Sequence, residues 1–414
     1  MREGHAPIKQ LVRNFLSLGM LRGFDLVVPL IVTPYLVAKL GMDIFGQINY
    51  SLSIAMYFGV LIQYGYSITA VREIARVRDD HEALRDLFNQ VLWSMVVMAF
   101  SVSLVFFLGV WVFAAQGESR LLLYMAYALV IAQSLMPTWF FQGVERMGYI
   151  AIFGFLAKAI YLIFVFVFVV VPSDSVLVLV GNFLSVLFVL IIAYALIFFK
   201  MGMSLRFCGW RKLIIQYKTG YDAFVTQLAP SLYNNSSVFI LGTVAGGAAV
   251  GPYSAASTVI DAVVALGRLM SSVALPYLSK NILHHGYFKI IMLVVSVGAM
   301  ACVIVFSGSI SDLFFQGNGL VVSYLLVMSF GIPAAYAFLV FNTNFLMLTG
   351  AEQVARKIVS RVSVVFFVLG IFIIPFLGGI GACVLVVGAR ISMSLLSYYC
   401  YRVRILEVGR NEKA

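Results

Sequence analysis

The sequence predicts an all-α polytopic membrane protein, and three observations carry that prediction. Of the 414 residues, 62% are hydrophobic and only 11% are charged, against about 25% charged in a soluble domain. The apolar residues fall in long runs, and a run of about 20 spans a bilayer as a helix. The period-two alternation of a membrane barrel is absent, and a helix satisfies its own backbone hydrogen bonds in hydrocarbon, which an open sheet cannot do.

About twelve spans follow in order. The first, near 14–39, holds Arg22, Asp25, Pro29 and Pro34 and is too long for a cleavable signal. The second, near 44–69, opens on FGQINYS at 45–51. Residues 70–86 alternate charge signs and place Ile74, Val77, Leu84 and Leu87 at roughly helical spacing, which predicts a short helix at the membrane surface. Spans three and four lie near 87–113 and 121–140, the latter interrupted by Gln133 and Pro137. Spans five and six, near 149–171 and 176–199, precede a basic linker at 200–219 that contains Trp210. Span seven, near 220–244, combines Pro230 with Asn234, Asn235, Ser236 and Ser237; span eight, near 250–276, carries Pro252 and Pro276. The rest lie near 288–308, 320–348, 358–377 and 380–401.

The linker divides these spans six and six. The expected organisation is an N-terminal six-helix lobe (1–199), a cytoplasmic linker (200–219) and a C-terminal six-helix lobe (220–414). Phe45–Ser51 and Val250–Ala256 echo each other faintly, each with a Gly near the start of a long helix. An even span count per half places the pseudo-twofold axis along the membrane normal. Prolines in spans one, seven and eight predict kinks, because Pro removes a ladder hydrogen bond.

Orientation follows from Lys and Arg. Arg72, Arg76, Arg78, Arg85, Arg206, Arg211, Lys212, Arg356, Lys357 and Arg361, together with most basic residues at the two ends, fall on one side. The opposite loops offer only Lys39 and Arg120. Both termini are therefore expected in the cytoplasm, and the net charge of +11 is largely a topology signal. Basic residues spread over many short loops argue against a nucleic-acid partner.

Chemistry-bearing patterns are few. Cys208, Cys302, Cys383 and Cys400 form no CxxC, so neither a disulfide framework nor a zinc site is expected. The His284–His285 pair reads as a solvated loop, and Asp222 as a surface helix cap. No acidic pair, GxSxG, HExxH or phosphate loop occupies a credible loop, so the chain is read as a non-enzyme without cofactor or metal.

Charges inside the spans are the remaining signal. Arg22, Lys158, Arg268 and Arg390 sit in apolar segments, where a cation is costly and faces a cavity or a partner. Arg22 and Asp25 are three apart and share a face of span one. Asp261 and Arg268 are seven apart and share a face of span eight. These six are the candidate cavity residues: Arg22, Asp25, Lys158, Asp261, Arg268 and Arg390. The bland reading is ion pairing that makes burial tolerable; the functional one is a cationic cavity for an anionic substrate. Asp261–Arg268 is the pair that the spacing suggests.

Several runs resemble a known family. LSLGMLRGFDLVVPLIVTPYLVAKLGMDIFG in span one, QYGYSITAVREIA at 63–75, PTWFFQGVERM at 137–147 and VGPYSAAS at 250–257 are similar to segments of bacterial O-antigen and polysaccharide flippases. That family lies in the superfamily of the lipid II flippase and the multidrug and toxin extrusion antiporters. The resemblance implies two six-helix lobes around a central cavity. It also implies alternating access and an undecaprenyl-diphosphate-linked oligosaccharide as cargo. Implied partners are that lipid-linked substrate, membrane lipids, a coupling ion (proton or sodium), and a polysaccharide polymerase with its chain-length regulator. Gln63, Arg22, Asp25 and Arg390 depart from the family's usual residues, which points to a cavity charge of this chain's own. Within PTWFFQGVERM, Trp139 is read as a headgroup anchor and Gly143 as the residue that permits a turn. The competing readings are a cation-coupled drug antiporter, which would favour a cavity acid, and a membrane polysaccharide polymerase, which would favour a large external loop.

Overall fold

The computed structural model describes residues 27–113, 117–280 and 284–411. Within them the regular secondary structure is helical, with no strand among the described residues. The helices run α1 (Val27–Leu40), α2 (Met42–Gln63), α3 (Tyr66–Val77), α4 (His81–Phe113), α5 (Glu118–Ser134) and α6 (Thr138–Gly143). They continue as α7 (Met147–Phe168), α8 (Ser175–Ala195), α9 (Trp210–Lys280) and α10 (His285–Phe314). The last are α11 (Gly319–Ser329), α12 (Gly331–Phe338) and α13 (Glu352–Asn411). One π-helical segment, Leu196–Lys200, extends α8, and another, Leu339–Leu346, extends α12.

At about 1.5 Å per residue, neither α9 nor α13 can be one span. Each is broken at a glycine with non-helical torsions, Gly246 (φ 71°, ψ −171°) and Gly378 (φ 56°, ψ −137°). Among the described residues, nine helices are long and apolar enough to cross a bilayer when the bent α11–α12 pair counts as one. Splitting α9 and α13 at their glycines and adding α1 gives twelve helical rods among the described residues, near the predicted spans, with residues 14–26 of the first span outside the described residues.

Both breaks fall in the predicted gaps between spans, Gly246 between seven and eight and Gly378 between eleven and twelve. Pro230, Pro252 and Pro276 lie within continuous helical assignment, and the only non-helical residue inside α9 is Gly246. A positive φ ends a helix outright, whereas a proline costs a helix one hydrogen bond and can be absorbed as a bend.

Contacts divide the chain into two compact units, one containing Ser51–Ser231 and the other containing Pro29–Tyr50 and Leu232–Ala414. The dividing points fall inside α1, α2 and α9.

In the first unit, the aromatic motif at 137–147 forms a packing knot. Phe140 and Phe141 are buried, and Trp139, 3% exposed, stacks on Phe88 at 5.8 Å. Trp139 is therefore a core residue and not a headgroup anchor. Gly143 lies against Ile74, where an added Cβ would sit 2.4 Å from the Ile74 side chain, so its small size lets α6 approach α3. The turn itself falls at Glu145, which has φ 57° and pairs with Arg78. The predicted surface helix over 70–86 is instead split: its first half ends α3, a turn at 78–80 follows and 81–86 open α4, and the apolar face of α3, including Ile74, packs into this same cluster.

In the second unit, His285 is buried and its Nε2 donates to the Val340 carbonyl at 3.1 Å. It is not part of a solvated loop; only His284 is exposed, stacked on Tyr277. Asp222 is exposed within the first limb of α9 and caps nothing, since helix continues on both sides. Elsewhere the exposed surface is strongly apolar, with Phe376, Leu313 and Trp111 each more than 70% exposed. Such surface suits lipid and not water.

Candidate functional site

The second limb of α9 carries Tyr253, Ser257, Asp261 and Arg268 at spacings of four, four and seven, which keeps them on one helix face. That face lines a cavity of about 430 Å³ within the second unit. The opposite walls come from Phe338 of α12, Leu339 of the π-helical segment, and Val386 and Arg390 of α13. Apolar walls around a few convergent polar groups are the usual composition of a ligand site.

The charges in this cavity are arranged differently from the sequence expectation. Arg390 Nη2 donates to Asp261 Oδ1 at 2.8 Å. Asp261 thus pairs with Arg390, 129 positions away, and not with Arg268 on its own helix. Two turns separate Asp261 from Arg268, about 10 Å along the axis, while α13 brings its arginine to hydrogen-bond distance. Ser257 Oγ donates to the other carboxylate oxygen at 3.3 Å. The Arg390 side chain is 17% exposed and that of Asp261 50%, so the carboxylate is half open to the cavity. Arg268 is exposed on the same wall. Among the described lining residues, two guanidinium groups stand with one carboxylate.

Small residues and buried amides hold these walls in place. A Cβ on Gly331 would meet the Arg390 side chain at 3.3 Å, so this glycine leaves room for the arginine. Tyr336 OH donates to the Val263 carbonyl at 2.9 Å, with its ring over Gly267. Asn344 donates to the Ser271 carbonyl at 3.1 Å and Asn342 to Ser397 Oγ at 3.3 Å. Both asparagines lie in the π-helical segment and are buried. They tie it to α9 on one side and α13 on the other, and π-bulges of this kind concentrate at functional sites. Nothing in the local sequence marks Asn342 or Asn344 as partners of Ser397 and Ser271; only a polar pair inside an apolar run could have drawn attention to them.

The other expected site residues stand apart from this cavity. Lys158 is half-buried in the middle of α7, in the first unit. Arg22 and Asp25 lie outside the described residues. Among the described residues no group of three or more His, Cys, Asp or Glu is placed to hold a metal.

A family model for polysaccharide biosynthesis proteins matches residues 11–282, well over half of the chain. The chain belongs to the polysaccharide biosynthesis protein family. Membership of this family agrees with the resemblance carried by spans one to eight. The chain is 24% identical over 314 residues to a protein of Escherichia coli (strain K12) named for O-antigen transport, covering 75% of this chain and 74% of that one. Two solved structures show the fold of this family member. The lipid II flippase MurJ in an inward closed conformation has a TM-score of 0.72 at 13% identity, covering 94% of this chain and 87% of that one. An inward-facing multidrug resistance MATE transporter of the MOP superfamily has a TM-score of 0.68 at 13% identity, covering 93% and 99%. The protein is thus a polytopic membrane protein with a MATE- and MurJ-like transporter fold.

Proposed function

We propose that this polysaccharide biosynthesis family member is a flippase that carries an undecaprenyl-diphosphate-linked oligosaccharide from the inner to the outer leaflet of the bacterial cytoplasmic membrane. The observation that carries the reading is the cavity in which, among the described residues, Arg268 and Arg390 face one carboxylate, Asp261. A diphosphate leaving water loses hydration, and guanidinium groups replace it with paired, charge-assisted hydrogen bonds. The carboxylate of Asp261 keeps Arg390 extended and partly neutralised until an anion takes its place. The prenyl tail stays in lipid, so the protein has only the head group to desolvate. No bond is made or broken. Six-helix lobes that rock about the site, a coupling proton or sodium ion, and cytoplasmic termini complete the scheme. The transporter fold, the relative named for O-antigen transport and the Lys/Arg asymmetry support it.

Cation export is the weaker reading, because Asp261, the acid among the described residues of the cavity, is already bound to an arginine. The test is export of surface polysaccharide in a strain that lacks the gene and any second flippase. Arg268→Gln and Arg390→Gln, inserted at normal levels, should each abolish export and leave lipid-linked repeat units on the cytoplasmic leaflet. Full export by both variants would remove the cavity from the substrate path.

A further inference from the structure

A second cavity, also of about 430 Å³, lies in the first unit between the start of α4 and the segment that joins α8 to α9. It is lined by both signs of charge: Arg85, Arg206 and Lys212 against Glu82 and Asp86. Its frame is fixed by Asn89, which is 2% exposed. The Asn89 amide donates to the Arg85 and Ser204 carbonyls at 2.8 and 2.9 Å and accepts from the Arg206 backbone N–H at 2.8 Å. That one side chain straps the 201–209 segment to α4.

The charged groups inside this frame are open. Lys212 bridges Asp86 at 2.7 Å with both side chains nearly half exposed, and Arg85 meets the 88%-exposed Glu82 only at 3.8 Å. Exposed pairs of this kind are weak and can be exchanged for a ligand's charges. Beside the charges stands an apolar rim: Leu205, Phe207 and Trp210 are 59%, 47% and 63% exposed. The Phe207 ring is held edge-on against Trp93 at 5.5 Å and Trp210 at 5.6 Å. Indole and aliphatic groups beside basic residues mark the boundary between head groups and acyl chains.

We propose that this cavity binds the head group of a zwitterionic phospholipid bearing a primary ammonium, as in phosphatidylethanolamine. The phosphodiester has Arg206 and Lys212 as partners. The ammonium has three N–H donors and two carboxylates, Glu82 and Asp86, to receive them. The glycerol and upper acyl chain lie along Leu205, Phe207 and Trp210. A lipid with a trimethylated ammonium lacks those donors, and an anionic lipid leaves Glu82 and Asp86 facing its negative charge. The site is separate from the arginine cavity and does not depend on the transport reading.

The experiment uses the full-length protein in detergent micelles, titrated with short-chain phosphatidylethanolamine, phosphatidylcholine and phosphatidylglycerol. Native mass spectrometry counts bound lipid, and thermal unfolding reads stabilisation. Phosphatidylethanolamine should be retained over both others. Arg206→Gln with Glu82→Gln should lower its affinity by about a hundredfold, about tenfold for each charge-assisted hydrogen bond lost. Both side chains are exposed, so the fold should survive. Glu82→Gln alone should weaken the preference for ethanolamine over choline, since Asp86 remains, while phosphate binding persists. Equal retention of phosphatidylcholine, stronger retention of phosphatidylglycerol, or an unchanged preference in the variants would overturn the proposal.

Discussion

Replacing Asp261 with Asn removes the carboxylate that occupies Arg390 and keeps a side chain of nearly the same size. The pair sits at 2.8 Å with one partner 17% and the other 50% exposed. Two charges about 4 Å apart interact by about 4 kcal/mol at the effective dielectric of a protein surface. Half-exposure of the acid, and the near-zero net value of fully exposed pairs, bring the net strength of this one to about 1–2 kcal/mol. A phosphate that takes Arg390 must displace that much. Asp261→Asn should therefore bind a diphosphate head group about 5- to 30-fold more tightly than the natural chain. The gain should shrink as salt is raised, since the Debye length falls to about 8 Å at physiological ionic strength. Calorimetric titration of the purified protein with a short-chain polyprenyl diphosphate measures it directly. Export should fall at the same time, because a head group held more tightly leaves more slowly. The reasoning fails if Asp261→Asn binds the diphosphate no better at low salt. It also fails if Asp261→Asn with Arg390→Gln binds and exports like the natural chain, which would make the pair a structural clamp only.

Other consequences can be checked more simply. Gly65 has φ +76°, and a Cβ there would lie 2.6 Å from the Phe224 backbone nitrogen, so Gly65→Ala should cost about 2–4 kcal/mol and show as lost folded protein on gel filtration. Gly41→Ala, at φ +84° but with open space around it, should cost only the torsional part, about 1 kcal/mol. Burial pushes the Cys208 thiol up from its ordinary value. With Cys208 as the sole cysteine, its alkylation rate should keep rising with pH beyond the point where a free thiol levels off, and a profile matching free cysteine would contradict the burial. A cysteine introduced at Asp174 should react with impermeant maleimide in intact cells, whereas one at Arg211 should react only after the membrane is opened; the reverse pattern would invert the orientation.

The membrane class, the helical secondary structure and the twelve rods were legible in the sequence because they depend on quantities local to the chain. Run length, apolar content and the demand that each segment satisfy its own backbone hydrogen bonds decide them. The same local logic marked Asp261, Arg268 and Arg390, since a charge in an apolar run stands out wherever its partner lies. What the partner is could only come from tertiary packing. Spacing on α9 suggested Asp261–Arg268, but residues two turns apart project side by side along an axis, while Arg390 arrives from α13 on the facing wall. Packing also made Trp139 a core ring and buried His285 under Val340, because amphipathic side chains look alike in sequence whether their apolar body meets lipid or a neighbouring helix. It also kept Pro230, Pro252 and Pro276 inside continuous helix, since neighbours can absorb the loss of one ladder hydrogen bond.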